Sequence, residues 1–131
     1  MIDQFVQWLQ NRLPTVTFIQ DNFTEDSPDN CTLVRHTGGE PASYYDRKDH
    51  NVQFLTRDKN RYNAKKTANS IYDSITKIFH VTIPGITIDA DVYPEYVAAK
   101  IDPIQLPGAI GADKEMRYMY SFNVIITTTI V

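Results

Sequence analysis

The sequence predicts an α+β fold: a mostly antiparallel or mixed β-sheet with two main helices packed on one face. Three observations lead there. Between Asn51 and Phe79 a strand-like alternation gives way to an amphipathic helical pattern. Ile2, Phe5, Val6, Leu9 and Leu13 repeat at three and four residues, the stripe of a helix with one buried side. From Tyr118 to Ile130 the chain alternates over thirteen residues, the longest strand signal present. Strands and helices that follow one another without regular alternation suit an antiparallel sheet with helices segregated to one face.

Taken in order, Met1–Leu13 reads as a helix stopped by Pro14, with Trp8 at the margin of its stripe and Gln4, Gln7, Gln10 and Asn11 as a nearly uncharged polar face. Thr15–Gln20 reads as a strand, and Asp21–Asn30, rich in Asp, Asn and Ser around Pro28, as a loop. Cys31–His36 is a second strand. Thr37–Asn51 follows as a long connection with Gly38-Gly39 as a turn needing positive φ, Pro41, Tyr44, Tyr45 and a polar run through Asp46, Arg47, Lys48, Asp49 and His50. Connections of that length are uncommon in compact domains and often carry function. Val52–Arg57 is the central strand. Asn63 is the expected cap of a helix whose apolar positions are Ala64, Ala68, Ile71, Tyr72, Ile75, Ile78 and Phe79. His80–Ile83 is a short strand closed by Pro84-Gly85, and Ile86–Pro94 fits no single pattern. Val97–Ile101 is a strand whose end at Pro103 belongs at an edge or a bulge. Leu106–Glu115 reads as a loop. The final strand has Tyr118, Tyr120, Phe122, Val124, Ile126, Thr128 and Ile130 on one face. Such a strand must be central in its own sheet or be covered by another subunit.

The 131 residues fit one domain, 1–131, large enough to bury a core without disulfides. A formal charge of −3 argues against gripping nucleic acid by bulk electrostatics. The single cysteine, Cys31, forms no internal disulfide and reads as a small buried strand residue. No secretory signal or membrane span is visible, so the glycosylation patterns at Asn22 and Asn30 are read as chance.

Signatures of chemistry are scarce. His36, His50 and His80 lack metal-ligand spacing, Cys31 lacks a nucleophile signature, and Gly38-Gly39 is too short to cradle a phosphate. Asp89, Asp91 and Glu95 do not follow a calcium-loop pattern and read as a solvated turn. Arg57, Lys59, Arg61, Lys65 and Lys66 form one basic concentration, which reads first as a solvated turn. Cations at a helix N-terminus oppose its dipole, so Lys65 and Lys66 hint at a contact. No catalytic residue, cofactor or metal is expected.

Several segments together carry a resemblance. They are the N-terminal amphipathic helix; the Gly-Gly pair with Pro41; and Val52-Gln53-Phe54-Leu55-Thr56-Arg57 leading to Ala64-x-x-x-Ala68-Asn69-x-Ile71-Tyr72. Pro107 and Gly111-x-Asp113 then precede Arg117-x-x-Tyr120-Ser121-Phe122-Asn123-Val124. Over most of its length the chain resembles the small minor capsid or tail terminator proteins of long-tailed bacteriophages, also called tail-completion or head-to-tail joining proteins. The resemblance implies a structural part of the virion, made in the host cytoplasm, that forms a hexameric ring. Such a ring caps the tail tube protein, stops polymerisation, docks the head-neck connector or stopper protein, and lets DNA pass through its lumen.

The implied partners are therefore further copies of the chain, the tube and the connector, with no membrane. Ring closure needs one patch to meet a different patch on the next copy. Candidate subunit or tube contacts are Tyr44, Tyr45, Arg47 and Lys48 in the long connection, and Ile130 and Val131 at the end of the last strand. Six copies at −3 each carry −18, a conduit over which a duplex would slide without a phosphate grip. Two rival readings are another neck or tail component, such as a stopper or tube subunit, and a small metal-dependent nuclease. The nuclease would use His36, His50 or His80 with Asp46 or Asp49.

Overall fold

The computed structural model describes residues 2–40, 47–76 and 78–129. Helix α1 (Ile2–Arg12) leads into strands β1 (Phe18–Gln20), β2 (Cys31–Glu40) and β3 (Arg47–Asp58), followed by helix α2 (Arg61–Ile75). Strands β4 (Ile78–Ile83), β5 (Ile86–Ile88), β6 (Asp91–Tyr93), β7 (Tyr96–Pro103), β8 (Gly108–Ala112) and β9 (Tyr118–Thr129) complete the order. Seven strands form one sheet in the order β1-β2-β3-β9-β7-β4, with β8 also paired to β9; β5 and β6 form a separate hairpin. All of its pairings are antiparallel except β1 with β2, so the α+β reading holds.

The last strand is the centre of the sheet. β3 pairs with β9 from Arg47↔Thr129 to Asp58↔Tyr118. The other edge of β9 is shared, with β7 along Val124–Thr129 and β8 along Tyr118–Ser121. Of the two resolutions open to such a strand, centrality is the one adopted. Its alternating face packs as expected: Phe122, Val124 and Ile126 are fully buried, against Phe54 and Val52 of β3. Phe54 and Phe122 stack at 4.7 Å between ring centroids, and Phe5 and Tyr72 meet that pair edge-on. Phe5 and Leu9 of α1 and Ile71 and Ile75 of α2 enter this one core, which puts both helices on the same face. Arg12 donates to the Ser74 carbonyl and hydroxyl, tying the two helices together.

Several expectations are corrected. The cap of α2 is Asn60, whose Oδ1 accepts from the Asn63 backbone; the helix starts a turn before the apolar stripe because Asp58 and Asn60 satisfy the turn between them. Ile78 and Phe79 belong to β4, not to the helix, and Phe79 is exposed. Helical spacing alone could not mark the exit, since a strand may begin on residues that continue the stripe. Leu106–Glu115 contains β8, a five-residue exposed strand that its Gly and Ala content concealed. Pro103 lies beyond Ile101, the last residue of β7 paired to β4, so its missing N–H costs no bond to that strand. Cys31 is buried as expected, its thiol donating to the Pro28 carbonyl.

Gln4, expected on a polar face, is buried and donates to the carbonyls of Pro84 at 3.3 Å and Pro94 at 2.7 Å. Those two residues flank the β5–β6 hairpin, so one side chain holds both roots of that projection. Gln10 similarly bridges the Val16 carbonyl and the Phe18 N–H. The uncharged face of α1 is spent largely on holding loops of its own chain.

Candidate assembly surfaces

The predicted long connection is mostly strand. β2 continues past His36 to Glu40 and β3 begins at Arg47, so the two form an arm beyond the helix-covered core. Thr37 is an extra residue in a bulge between His36 and Gly38. Gly38 supplies the positive φ of +110° that the bulge needs, while Gly39 has a different reason: a Cβ there would fall on the Asp49 carbonyl of the facing strand. The glycine pair thus extends pairing and does not end it. Alternation failed as a signal here because a bulge shifts its phase and glycine has no side chain to show it.

The contact candidates divide on this frame. Arg47 and Lys48 are exposed at the start of β3. Their partners are Thr129 and Thr128, so the arm and the end of β9 lie side by side. Of the two patches that the sequence offered separately, the described part of the first, Arg47 and Lys48, runs alongside Thr128 and Thr129. Tyr44, Tyr45, Ile130 and Val131 lie outside the described residues, as does Asp46. Arg47 reaches Asp49 at 3.7 Å across an exposed pair, a contact of little energy.

At the root of the arm His36 Nε2 and His50 Nδ1 share a hydrogen bond at 3.0 Å, and His50 Nε2 meets the Thr128 hydroxyl at 3.3 Å. Cross-strand pairing places all three on the helix-bearing face, just past the core. Burial, then the positive charges of His36 and Lys48, push the His50 pKa below its usual value. Of the nuclease residues, then, His36 and His50 converge. Asp49 points to the other face, where its carboxylate accepts from Thr127 at 2.8 Å, and His80 stands on β4. No group of three or more His, Cys, Asp or Glu side chains able to hold a metal occurs among the described residues. The histidine contact had no signature in the sequence, because it depends on the β2–β3 register that sets His36 opposite Val52, two residues from His50.

The opposite sheet face carries no helix. Leu55, Ile125 and Gln53 are half-buried there, and Arg35 donates to Gln53 across the β2–β3 pair. One end is covered by the Asp21–Asn30 loop. Arg57 is buried with its guanidinium 4.0 Å from the Phe23 ring centroid, donating to the carbonyls of Ser27 and Pro28. This divides the predicted basic run: Arg57 is a structural anchor and Lys59 pairs with Asp29, whereas Arg61, Lys65 and Lys66 stay exposed on α2. Asp113 clasps the β8–β9 turn, accepting from the N–H groups of Glu115 and Arg117 and from Arg117 Nε at 2.7 Å. Burial alone would raise that carboxyl, but these donors outweigh it and hold its pKa below the usual range.

The sheet and α2 fall within a single sequence relationship. A profile of bacteriophage tail terminator proteins matches residues 17–130. The chain belongs to the bacteriophage tail terminator family. Membership gives it a structural role in tail completion and implies a component of the virion. Among curated proteins no relative matches the chain. The family match spans every strand of the sheet and α2, and begins after α1. Among the described residues no helix is long and apolar enough to cross a membrane.

Proposed function

We propose that the protein ends tail growth as a non-enzymatic ring, hexameric in copy number, seated on the last layer of the tail tube. In this reading one face of the ring blocks further tube subunits and the other docks the connector of the filled head. DNA crosses the lumen without being held. The observation that carries the proposal is the family match over residues 17–130. The arm supports it: Arg47 and Lys48 project beyond the core beside the end of β9, in a place suited to touching a neighbour and not needed for packing.

The test is to replace residues 41–46, which lie between β2 and β3 in the chain, by a short Gly-containing turn and to introduce Arg47→Ala and Lys48→Ala. The expected result is a stably folded protein that leaves heads and tails unjoined in an assembly reaction. Normal yields of joined particles would reject the arm as the contact. A close rival, a tube subunit, stacks into open polymers. Sizing and electron microscopy of the purified chain decide between closed collars and fibres.

A further inference from the structure

Two surfaces of this chain are complementary in charge, and the fold holds them apart. The first is a groove between the start of α2 and β8. Two hollows of about 210 and 340 Å3 share Arg61 and Tyr120. Tyr118 and Met119 line the first, against the backbone of β8, while Tyr62 and Lys65 line the second. Tyr62 is 71% exposed, and Arg61, Lys65 and Lys66 have no acidic partner among the described residues. The first turn of α2 contains no acidic residue, so these cations are not there to favour the helix dipole.

The second surface is the β5–β6 hairpin. Asp89 and Ala90 form its two-residue turn, both with positive φ, the geometry of a tight hairpin reversal. Asp89, Asp91 and Glu95 are exposed and have no basic partner among the described residues. Val92 is 74% exposed, and Ile88 and Tyr93 are also exposed. Buried Gln4 fixes the roots of this finger, so it is presented as a rigid projection. Asp89 and Asp91 at the turn, Glu95 just past the root and the exposed apolar Ile88, Val92 and Tyr93 match three bases around a tyrosine-lined hollow.

The root of the finger and the groove lie at different ends of β9, and β5 flanks α1 and β1 rather than α2. The finger leaves β4 after Ile83, which pairs with Tyr96, next to the Val97↔Thr129 end of β9. The groove sits at Tyr118 and Tyr120, the other end of that strand. Twelve residues of β9 separate these ends, a rise of about 36 Å. A patch and its complement on opposite ends of one chain make a heterologous contact, the kind that closes rings.

We propose that the acidic finger of one copy seats in the α2–β8 groove of the next. The pairing rests on the ring reading above and names the surfaces that would build it. Self-association of the full chain is measured by light scattering and native mass spectrometry at low and high salt. Two variants are compared, Lys65→Glu with Lys66→Glu, and Asp91→Lys with Glu95→Lys; thermal melts confirm that each is folded. Each is expected to weaken association by about tenfold or more, with the wild-type contact weakening as salt rises. Mixed together, the two variants offer the wild-type junction and its charge-reversed counterpart in alternation and should co-assemble, although neither assembles alone. Combining all four substitutions in one chain should restore assembly. Association unchanged by either reversal, or no recovery in the combined chain, overturns the finger-groove pairing while leaving a wild-type ring intact. Reversals that abolish only binding to isolated tail tubes also overturn it, by assigning the groove to the tube protein. A wild-type chain that stays monomeric at every concentration and never caps tubes overturns both this pairing and the ring.

Discussion

β3 is one strand with two halves. From Val52 to Asp58 it lies between β2 and β9 with Val52 and Phe54 under the helices and only Gln53 and Leu55 half-buried on the other face. From Arg47 to Asn51 the same hydrogen-bonded ladder continues, but its side chains are exposed or half-buried. Pairing with β9 is continuous through both halves, whereas pairing with β2 passes a bulge and ends at Asp49, and side-chain burial differs between the halves. Core packing is therefore concentrated in one half and exposed side chains in the other, and a change in either should act on its own half.

The largest effect expected is in the core. Phe122→Ala removes a ring stacked on Phe54 and edge-on to Tyr72, and should cost about 3–5 kcal/mol in denaturant unfolding. A loss confined to the arm's amides would contradict the assignment of Phe122 to the central core. Next is Gly39→Ala, whose methyl would strike the Asp49 carbonyl. It should cost about 1–3 kcal/mol of arm pairing. Hydrogen exchange should speed up near Gly38–Glu40 and Arg47–His50 but stay slow at Phe54 and Val124.

Smaller effects sharpen the same contrast. Asn60→Ala should lower stability by about 1 kcal/mol, while Asn63→Ala should stay within about 0.5 kcal/mol. Equal effects would return the cap of α2 to Asn63, where helical spacing alone had placed it. The smallest concerns the histidine pair. Because the folded His50 has a lowered pKa, the unfolded chain gains a proton there first as pH falls. Arm stability should be complete above the ordinary histidine range and should decline as pH drops through it, levelling off below the folded pKa. Proton titration of the histidine resonances alongside arm exchange rates measures this. His50→Gln should flatten the dependence, and an arm indifferent to pH in the wild type would separate it from the His36–His50 contact.

Much of the fold was legible where periodicity is strong. Val52–Arg57 and Tyr118–Thr129 read as strands because residues that share a face share a fate in the core. Phe5, Leu9, Ile71 and Ile75 read as helix stripes for the same reason. Failures gathered where a glycine or a bulge interrupts that logic. Thr37–Glu40 looked like a turn, Gly108–Ala112 looked like a loop, and β5 and β6 were too short to show alternation. Gln4 was misplaced because its amide's partners are carbonyls eighty and ninety residues away. Of the proposed contact residues, Arg47 and Lys48 were singled out from the long connection, but their adjacency to the end of β9 was invisible until the register was known.

By itself the sequence determined the α+β class, the strand character of the last segment, the inward faces of both helices and the family, since each depends on local order in the chain. Tertiary structure alone decided that the arm and the end of β9 share one edge, that Arg57 is buried while Arg61 and Lys65 are not, and that the acidic finger and the basic groove stand at opposite ends of a strand. Such relations come from strand order and register, which bring together residues far apart in the chain, and no local pattern encodes a distance of that kind.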